Sequence, residues 1–569
     1  QLQAVQALGS VPYLFVDKTG TLTENSMELV KLVSPEDEWE LEGEEPPDDI
    51  AKRILEIGVL CNGASIDDED EPKKGDPLEI ALLEAGRKHG IEKESLEEAG
   101  EKLRTVEFDR ETMMMAVFYR RDDADEIAVA VKGAPERVLS ACSSYRTKNG
   151  SDDFDDETRE KWIKRAEELA GEGYRILAAA SKTVDSEESE PYDALDFHGF
   201  FVMEDPLREN VAESIDECEA AGIKIIMVTG DKPETAEAIA RDSGIGKEGD
   251  DLHLLTGKEL DALELENEGD AKKVLGADMA ARVEPQQKMD LIEAAQADGE
   301  AVGMTGDGVN DAPALKRANI GIAMGERGTE AAKEVADIVL RDDALGTIVE
   351  AVRRGRTIMD NIRKAAMFFL CTNLAEIIAL VVGAALDYPL PLLALQILYL
   401  NVITDVFPAL ALGLGPADQN VMNERSERNS RAILAPEHWA AVVGLGLLLA
   451  ACTLGALVLA KELLGLSDLQ ATTVSFLTLG LSKVWFPFNL RDYESPFFLN
   501  EVTRNSWVWG AVLLCLILLG SAVYFRPLGT ILETELIPAS AWGMILAFSL
   551  VPFVISQIVL VGLKLQKRA

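Results

Sequence analysis

Basic residues are scarce in this chain. Of 569 residues, 55 are Lys or Arg against 99 Asp or Glu, a formal net charge of −44. That balance repels a polyphosphate backbone, so no nucleic-acid partner is expected. Cysteine and histidine are scarcer still, at six and four. Cys61, Cys142, Cys218, Cys371, Cys452 and Cys515 follow no metal-ligand spacing, and three of them lie in apolar runs. No disulfide framework is predicted, and a reducing cytoplasm fits. No signal-like segment opens the chain. Gln1-Leu2-Gln3, without Met, stands a few residues before a strand pattern, as expected of a truncated piece. Acid runs such as Asp67-Asp68-Glu69-Asp70-Glu71 read as solvated surface. The acid excess as a whole points to the salt-rich cytosol of a halophile, where ions screen self-repulsion.

What is present divides in two. Hydrophobic residues make up 47% of the chain and charged residues 27%, which predicts a polar part and a membrane part rather than one mixed domain. In the polar part, residues 13–16 are apolar and Asp17 follows at once, opening the string Asp17-Lys18-Thr19-Gly20-Thr21-Leu22-Thr23. A buried strand that ends on a carboxylate is where an open α/β sheet places a ligand site. Two further apolar runs, 223–228 and 301–304, lead into Thr229-Gly230-Asp231-Lys232 and Thr305-Gly306-Asp307-Gly308-Val309-Asn310-Asp311. Strands alternating with helical patterns predict a parallel, doubly wound sheet that delivers Asp17, Thr229 and Asp307 to one edge.

Phosphoryl transfer to a carboxylate needs such a set. Asp17 is the candidate nucleophile. Asp17, the Thr19 carbonyl and Asp307 offer hard oxygens for Mg²⁺. Thr229 and Gly230 N–H are candidate donors to phosphate oxygens, and Lys288 can neutralise developing charge. Taken alone, Lys288 reads as an ordinary helix-surface lysine. Asn310 belongs to the catalytic set as a support of its loop, as does Asp311, rather than as a metal ligand.

These strings, in this order, resemble the P-type ATPases, a branch of the haloacid-dehalogenase-like superfamily. The resemblance implies that Asp17 is phosphorylated from ATP, with Asp231 and Arg282 near the nucleotide. Related phosphatases usually carry a second aspartate two residues after the nucleophile. Thr19 stands there and cannot move a proton in that way, so an acyl phosphate would persist.

Residues 35–197 between the first two strands are too many for a loop and predict an inserted α+β domain. The resemblance implies a nucleotide-binding domain in which Glu79, Phe108, Lys132 and Arg175 contact ATP. Alone, Phe108 reads as core. Two departures from the family pattern are Leu78 and Thr112-Met113-Met114-Met115. The expected division is a phosphorylation domain at 1–34 and 198–344, the nucleotide-binding domain at 35–197, a stalk helix at 345–364, and a transmembrane domain at 365–569.

Six apolar stretches predict an all-α six-helix transmembrane bundle: 365–386, 390–414, 438–460, 470–487, 506–525 and 541–563. Arg425, Arg428, Arg431, Arg491, Arg504, Lys564, Lys567 and Arg568 then fall on the same side as residues 1–364, predicting a multi-pass cell-membrane protein with both ends cytoplasmic. Asn373 and Glu376 share one face of the first span, and Asn401, Thr404 and Asp405 share one face of the second. Polar groups inside spans mark a pathway, and these form a hard-oxygen set for a dehydrated cation. Pro408 loosens the second helix.

Asn-Leu-Ala-Glu with Asn-Val-Ile-Thr-Asp resembles the sarcoplasmic-reticulum type of calcium pump within the type II group, which implies Ca²⁺ export. Na⁺ or H⁺ transport, or a membrane-anchored phosphatase, is the alternative. Lys483, in the fourth span, either snorkels to the cytoplasmic end or acts as a built-in counter-charge. The resemblance covers only the C-terminal half of such a pump. The missing N-terminal half is therefore an expected partner.

Overall fold

The computed structural model describes residues 7–41, 48–66, 74–121, 126–246, 251–263, 267–386, 388–418, 421–422, 433–492 and 495–568. The acid run at 67–71 and Arg425, Arg428 and Arg431 lie outside the described residues. The chain forms two compact units: Tyr13–Glu219 with Lys224–Ile348, and Gln1–Pro12 with Ala220–Ile223 and Val349–Ala569.

The first unit contains two sheets. One has seven strands, all parallel, in the order Leu254–Thr256, Met279–Ala281, Lys224–Val228, Tyr13–Asp17, Val302–Gly306, Ile320–Met324, Ile338–Leu340. The Tyr13–Asp17 strand lies at its centre, with Asp17 level with Val228 and Phe15 level with Met304. The chain crosses from this strand to Lys224–Val228 on one side and later to Val302–Gly306 on the other. The order therefore reverses here, and a crevice opens at the carboxyl end where Asp17 sits. Phe15, Ile226 and Met304 are buried beneath it, since helices cover a parallel sheet on both faces.

The second sheet has nine strands and is largely antiparallel. Its strand Leu195–Glu204 pairs with both Glu28–Val33 and Arg175–Val184. The sheet thus begins before residue 35 and ends after residue 197. Along Leu195–Glu204 the side chains alternate between two cores. Phe201 and Met203 join the helices Asp49–Leu60 and Pro77–Lys88 on one face. Phe200 and Val202 join Trp162 on the other, where the Trp162 and Phe200 rings meet edge-on at 5.4 Å.

The second unit is helical. Its first long helix, Leu345–Ala385, is continuous over 41 residues, so the expected stalk and first span are one rod. The second expected span is α-helical at Ala394–Leu400 and Val406–Gly413, with a π-helical segment at Asn401–Asp405 between them. Pro408 has no N–H for the Thr404 carbonyl, and a widened turn just before it is the local answer. Pro436–Glu462, Ser506–Tyr524 and Ala539–Arg568 follow the expected pattern.

Among the described residues five helices are long and apolar enough to cross a membrane. The fourth expected span, Asp468–Trp485, forms a helix but is not among them. Its threonines, serines and Lys483 lower its hydropathy. Every residue from Ala471 to Val484 is buried inside the unit, so the helix presents little surface that needs to be apolar.

Candidate active site

Asp17 is buried, and its N–H donates to Thr305 Oγ1 at 3.0 Å. Lys288, from the helix Pro285–Ala297, reaches Asp17 Oδ1 at 3.2 Å and Asp311 Oδ1 at 2.6 Å. Lys288 is therefore a buried lysine of the crevice and not a helix-surface residue. Asp311 also accepts the Gly308 N–H at 3.1 Å, which closes the loop after the Val302–Gly306 strand. The Asp307 carbonyl accepts the Thr329 N–H at 2.8 Å, which ties the loop to the start of the helix Glu330–Val335.

Asp17, Asp307 and Asp311 each offer a carboxylate oxygen within 4.8 Å of the others. Gly20 permits this crowding. Its φ is +72°, and a Cβ there would lie 2.8 Å from Asp307 Oδ2. Burial pushes the Asp17 carboxyl up to about 7; Lys288 opposes the shift, while Asp311 and Asp307 add to it. Asp307 is raised for the same reasons, burial first and then Asp311. Three carboxylates converging as hard oxygens fit a small divalent cation such as Mg²⁺.

Thr229 is buried at the end of the neighbouring strand, and its Oγ1 accepts the Asp231 N–H at 3.1 Å. Its own O–H remains able to donate toward the crevice. Asp231 pairs with Lys18, the residue that follows the nucleophile, at 2.7 Å. Arg282 is exposed, and its N–H donates to the Asp231 carbonyl at 2.9 Å from a left-handed conformation, φ +52°. Thr19 is half-buried in the loop after Asp17, and Asn310 is exposed. The structure thus gathers Asp17, Thr229, Lys288 and Asp307 at one sheet edge. It adds Asp311 as the partner of Lys288 and Thr305 as a backbone anchor, neither of which sequence reasoning placed against the nucleophile. Both lie in the Thr305–Asp311 string, which carried the signal.

In the nine-stranded sheet, Lys132 Nζ lies 2.7 Å from Glu79 Oε1, and Glu79 Oε2 accepts the Gly63 N–H at 3.1 Å. Lys132 is level with Met115, whose strand pairs on its other side with the strand carrying Phe108. Phe108 is 59% exposed and so is not core. Arg175 begins its strand, four residues from Ala179, the partner of Lys132. Glu79 and Lys132 are brought into contact, with Phe108 near their level and Arg175 farther along the sheet.

In the helical unit, Lys483 is fully buried between two carboxylates, 2.5 Å from Glu376 Oε1 and 2.9 Å from Asp405 Oδ1. It does not snorkel. The Asn401 amide, turned about its terminal bond, donates to Glu376 at 3.0 Å and to Asp405 at 3.3 Å. Asn373 and Thr404 instead donate to their own helices, to the Phe369 carbonyl at 2.8 Å and the Leu400 carbonyl at 2.9 Å. Of the expected hard-oxygen set, Glu376 and Asp405 converge on an ammonium, and Asn401 joins them through its amide nitrogen.

Comparison with known proteins agrees along the chain. Residues 51–210 match the family described as P-type ATPase, cytoplasmic domain N. Residues 289–352 match haloacid dehalogenase-like hydrolases, and residues 389–561 match the cation transporting ATPase C-terminus. The chain is 35% identical to calcium-transporting ATPase 1 of Bacillus cereus and 33% identical to a calcium-transporting ATPase of Bacillus subtilis, over 98% and 97% of its length. It is 35% identical to a sodium/potassium exporting P-type ATPase of Schizosaccharomyces pombe, over 76% of its length and 47% of that protein. It spans about 64% of the length of the two Bacillus proteins. Asp307 and Asp311, Glu79 and Lys132, and most of the apolar helices fall in the matched segments, and over nearly its whole length the chain is similar to cation-transporting P-type ATPases.

Proposed function

We propose that this chain is part of an ATP-driven cation pump that passes through an aspartyl phosphate on Asp17, with Ca²⁺ the favoured cargo. The observation that carries the reading is the meeting of Asp17 with Lys288 at 3.2 Å beside Asp307 and Asp311. An Asp17 oxygen attacks the γ-phosphorus of ATP. The new O–P bond forms as the bond to the β-phosphate oxygen breaks, and ADP leaves. Lys288 offsets the charge gathered on the transferred group. The Thr229 hydroxyl and Gly230 N–H donate to its oxygens. Mg²⁺, held by Asp17, Asp307 and the Thr19 carbonyl, supplies charge neutralisation when bound. Asp231 and Arg282 flank the nucleotide, and Asn310 supports the loop. Because Thr19 has no carboxyl, no side chain at that position activates water, and the acyl phosphate persists.

ATP is held by the nine-stranded sheet, its base on Phe108 and against the Glu79–Lys132 pair, with Arg175 toward the phosphates. The division into phosphorylation domain, inserted nucleotide-binding domain, stalk and transmembrane domain follows the boundaries given above. Six helices cross the membrane, Asp468–Trp485 among them, with residues 1–364 and the C-terminus cytoplasmic. Glu376, Asn401 and Asp405 bind the cargo, with Asn373 and Thr404 on the same helix faces. Lys483 is a permanent counter-charge that takes the place of one cation. A Na⁺ or H⁺ pump is the second reading, favoured by that ammonium and by the similarity to a sodium/potassium exporter. Phosphorylation of the full-length protein from ATP with Ca²⁺, with Na⁺ or with neither separates the two. Label that appears only with Ca²⁺ is expected, and label that needs Na⁺ instead overturns the Ca²⁺ assignment.

A further inference from the structure

The helix Leu345–Ala385 meets the segment from Asp468 to Asn505 at two places. One is Glu376 with Lys483. The other lies twelve positions earlier on the same helix, about 18 Å away along its axis. There Lys364 Nζ is 3.0 Å from Glu501 Oε1 and 2.6 Å from Asp360 Oδ2. Lys364 and Glu501 are each 7% exposed. The Asp492 N–H donates to Glu501 Oε1 at 2.8 Å and the Ser495 hydroxyl to Oε2 at 3.1 Å. The surrounding charged groups are also engaged. Asp418 Oδ2 accepts from Ser495 Oγ at 3.0 Å, Arg363 lies 3.8 Å from Asp360, and Arg491 donates to the Ser495 carbonyl at 2.7 Å and to Gln557 Oε1 at 3.0 Å.

A buried ion pair adds little net stability, because desolvation consumes most of its Coulomb gain; its better-attested use is to set register. One fixed point on a helix leaves it free to pivot. Two fixed points on one helix, the first against the helix Asp468–Trp485 and the second against the turn around Glu501 that precedes Ser506–Tyr524, restrain both rotation and sliding. A shift by one residue moves a helix about 1.5 Å and turns it about 100°, enough to break both pairs together.

We propose that Lys364 is a positioning residue, whose pair with Glu501 holds the helix carrying Glu376 in the rotation and register that set this carboxylate against Lys483 and Asp405. The inference rests on the reading of Glu376 and Asp405 as cargo ligands. Its test uses the full-length protein with Lys364→Met and Glu501→Gln combined, which leaves neither partner as a lone buried charge, beside Lys364→Arg alone. Equilibrium Ca²⁺ binding and the phosphorylation rate at saturating Ca²⁺ are measured for each. The combined variant is expected to bind Ca²⁺ about threefold or more weakly, with its saturating rate within about twofold of the parent, and Lys364→Arg to restore parental binding. The inference is overturned if the combined variant binds as the parent does, if Lys364→Arg weakens binding equally, or if the combined variant does not fold. A parent that binds no Ca²⁺ overturns the cargo-site reading and this inference with it, whereas a binding parent and an unmoved variant overturn this inference alone.

Discussion

A methyl group at Gly20 would stand 2.8 Å from Oδ2 of Asp307, so the residue three places after the nucleophile sets how closely the second carboxylate approaches it. Gly20 is also left-handed, a conformation that costs a residue with a side chain about 1–2 kcal/mol. Gly20→Ala is therefore expected to reduce phosphorylation about tenfold or more and to raise the Mg²⁺ concentration needed for half-maximal rate. A Mg²⁺ titration of the phosphorylation rate checks this.

The Asp17 carboxyl stands at about 7 in the fold, pushed up by burial and, against Lys288, by Asp311 and Asp307. In an unfolded chain it titrates at about 3.9. A folded value above the unfolded one contributes stability that is full below the unfolded value and is lost as pH rises through the folded one. In chelator, the melting temperature of the first unit should fall between about pH 4 and pH 7. Added Mg²⁺ should flatten that fall, because a divalent ion favours the charged form. Calorimetry across this range with and without Mg²⁺ reads both effects.

Phe108 is 59% exposed, so it contributes little to the core. Phe108→Ala should weaken ATP binding about fivefold or more while leaving the melting temperature in place. Titration calorimetry paired with thermal melting measures the two. A large drop in melting temperature would return Phe108 to a packing role.

Lys483→Gln removes the ammonium between Glu376 and Asp405. The expected outcome is a changed number of cations bound per phosphorylated site, or a changed pH dependence of transport. Ion uptake counted against ATP hydrolysed in vesicles gives the stoichiometry, and repeating it across pH gives the profile. No change in either would remove the counter-charge role.

The crevice was legible because its chemistry is local. Asp17 closes a short apolar run, and the Thr305–Asp311 string carries its loop, its helix cap and its carboxylates within seven residues. The apolar spans were legible from composition, since lipid-facing residues have to be apolar. Asp468–Trp485 escaped that logic because other helices, not lipid, surround it. Pairings across long separations were not legible: Glu28–Val33 lies beside Leu195–Glu204, and no local pattern specifies a neighbour that far along the chain. The destination of Lys483 was equally hidden. Helical period assigns it a face, but only the packing of three helices decides whether its ammonium meets two carboxylates or leaves for the interface.

The central claim is that one side-chain oxygen accepts phosphate from ATP on behalf of ion movement. Its most direct measurement is radiolabel transfer from γ-labelled ATP, together with ATP-driven Ca²⁺ uptake, in vesicles holding the full-length protein with Asp17→Asn. The account predicts retained ATP binding, no covalent label and no uptake. Undiminished uptake by that variant would contradict it.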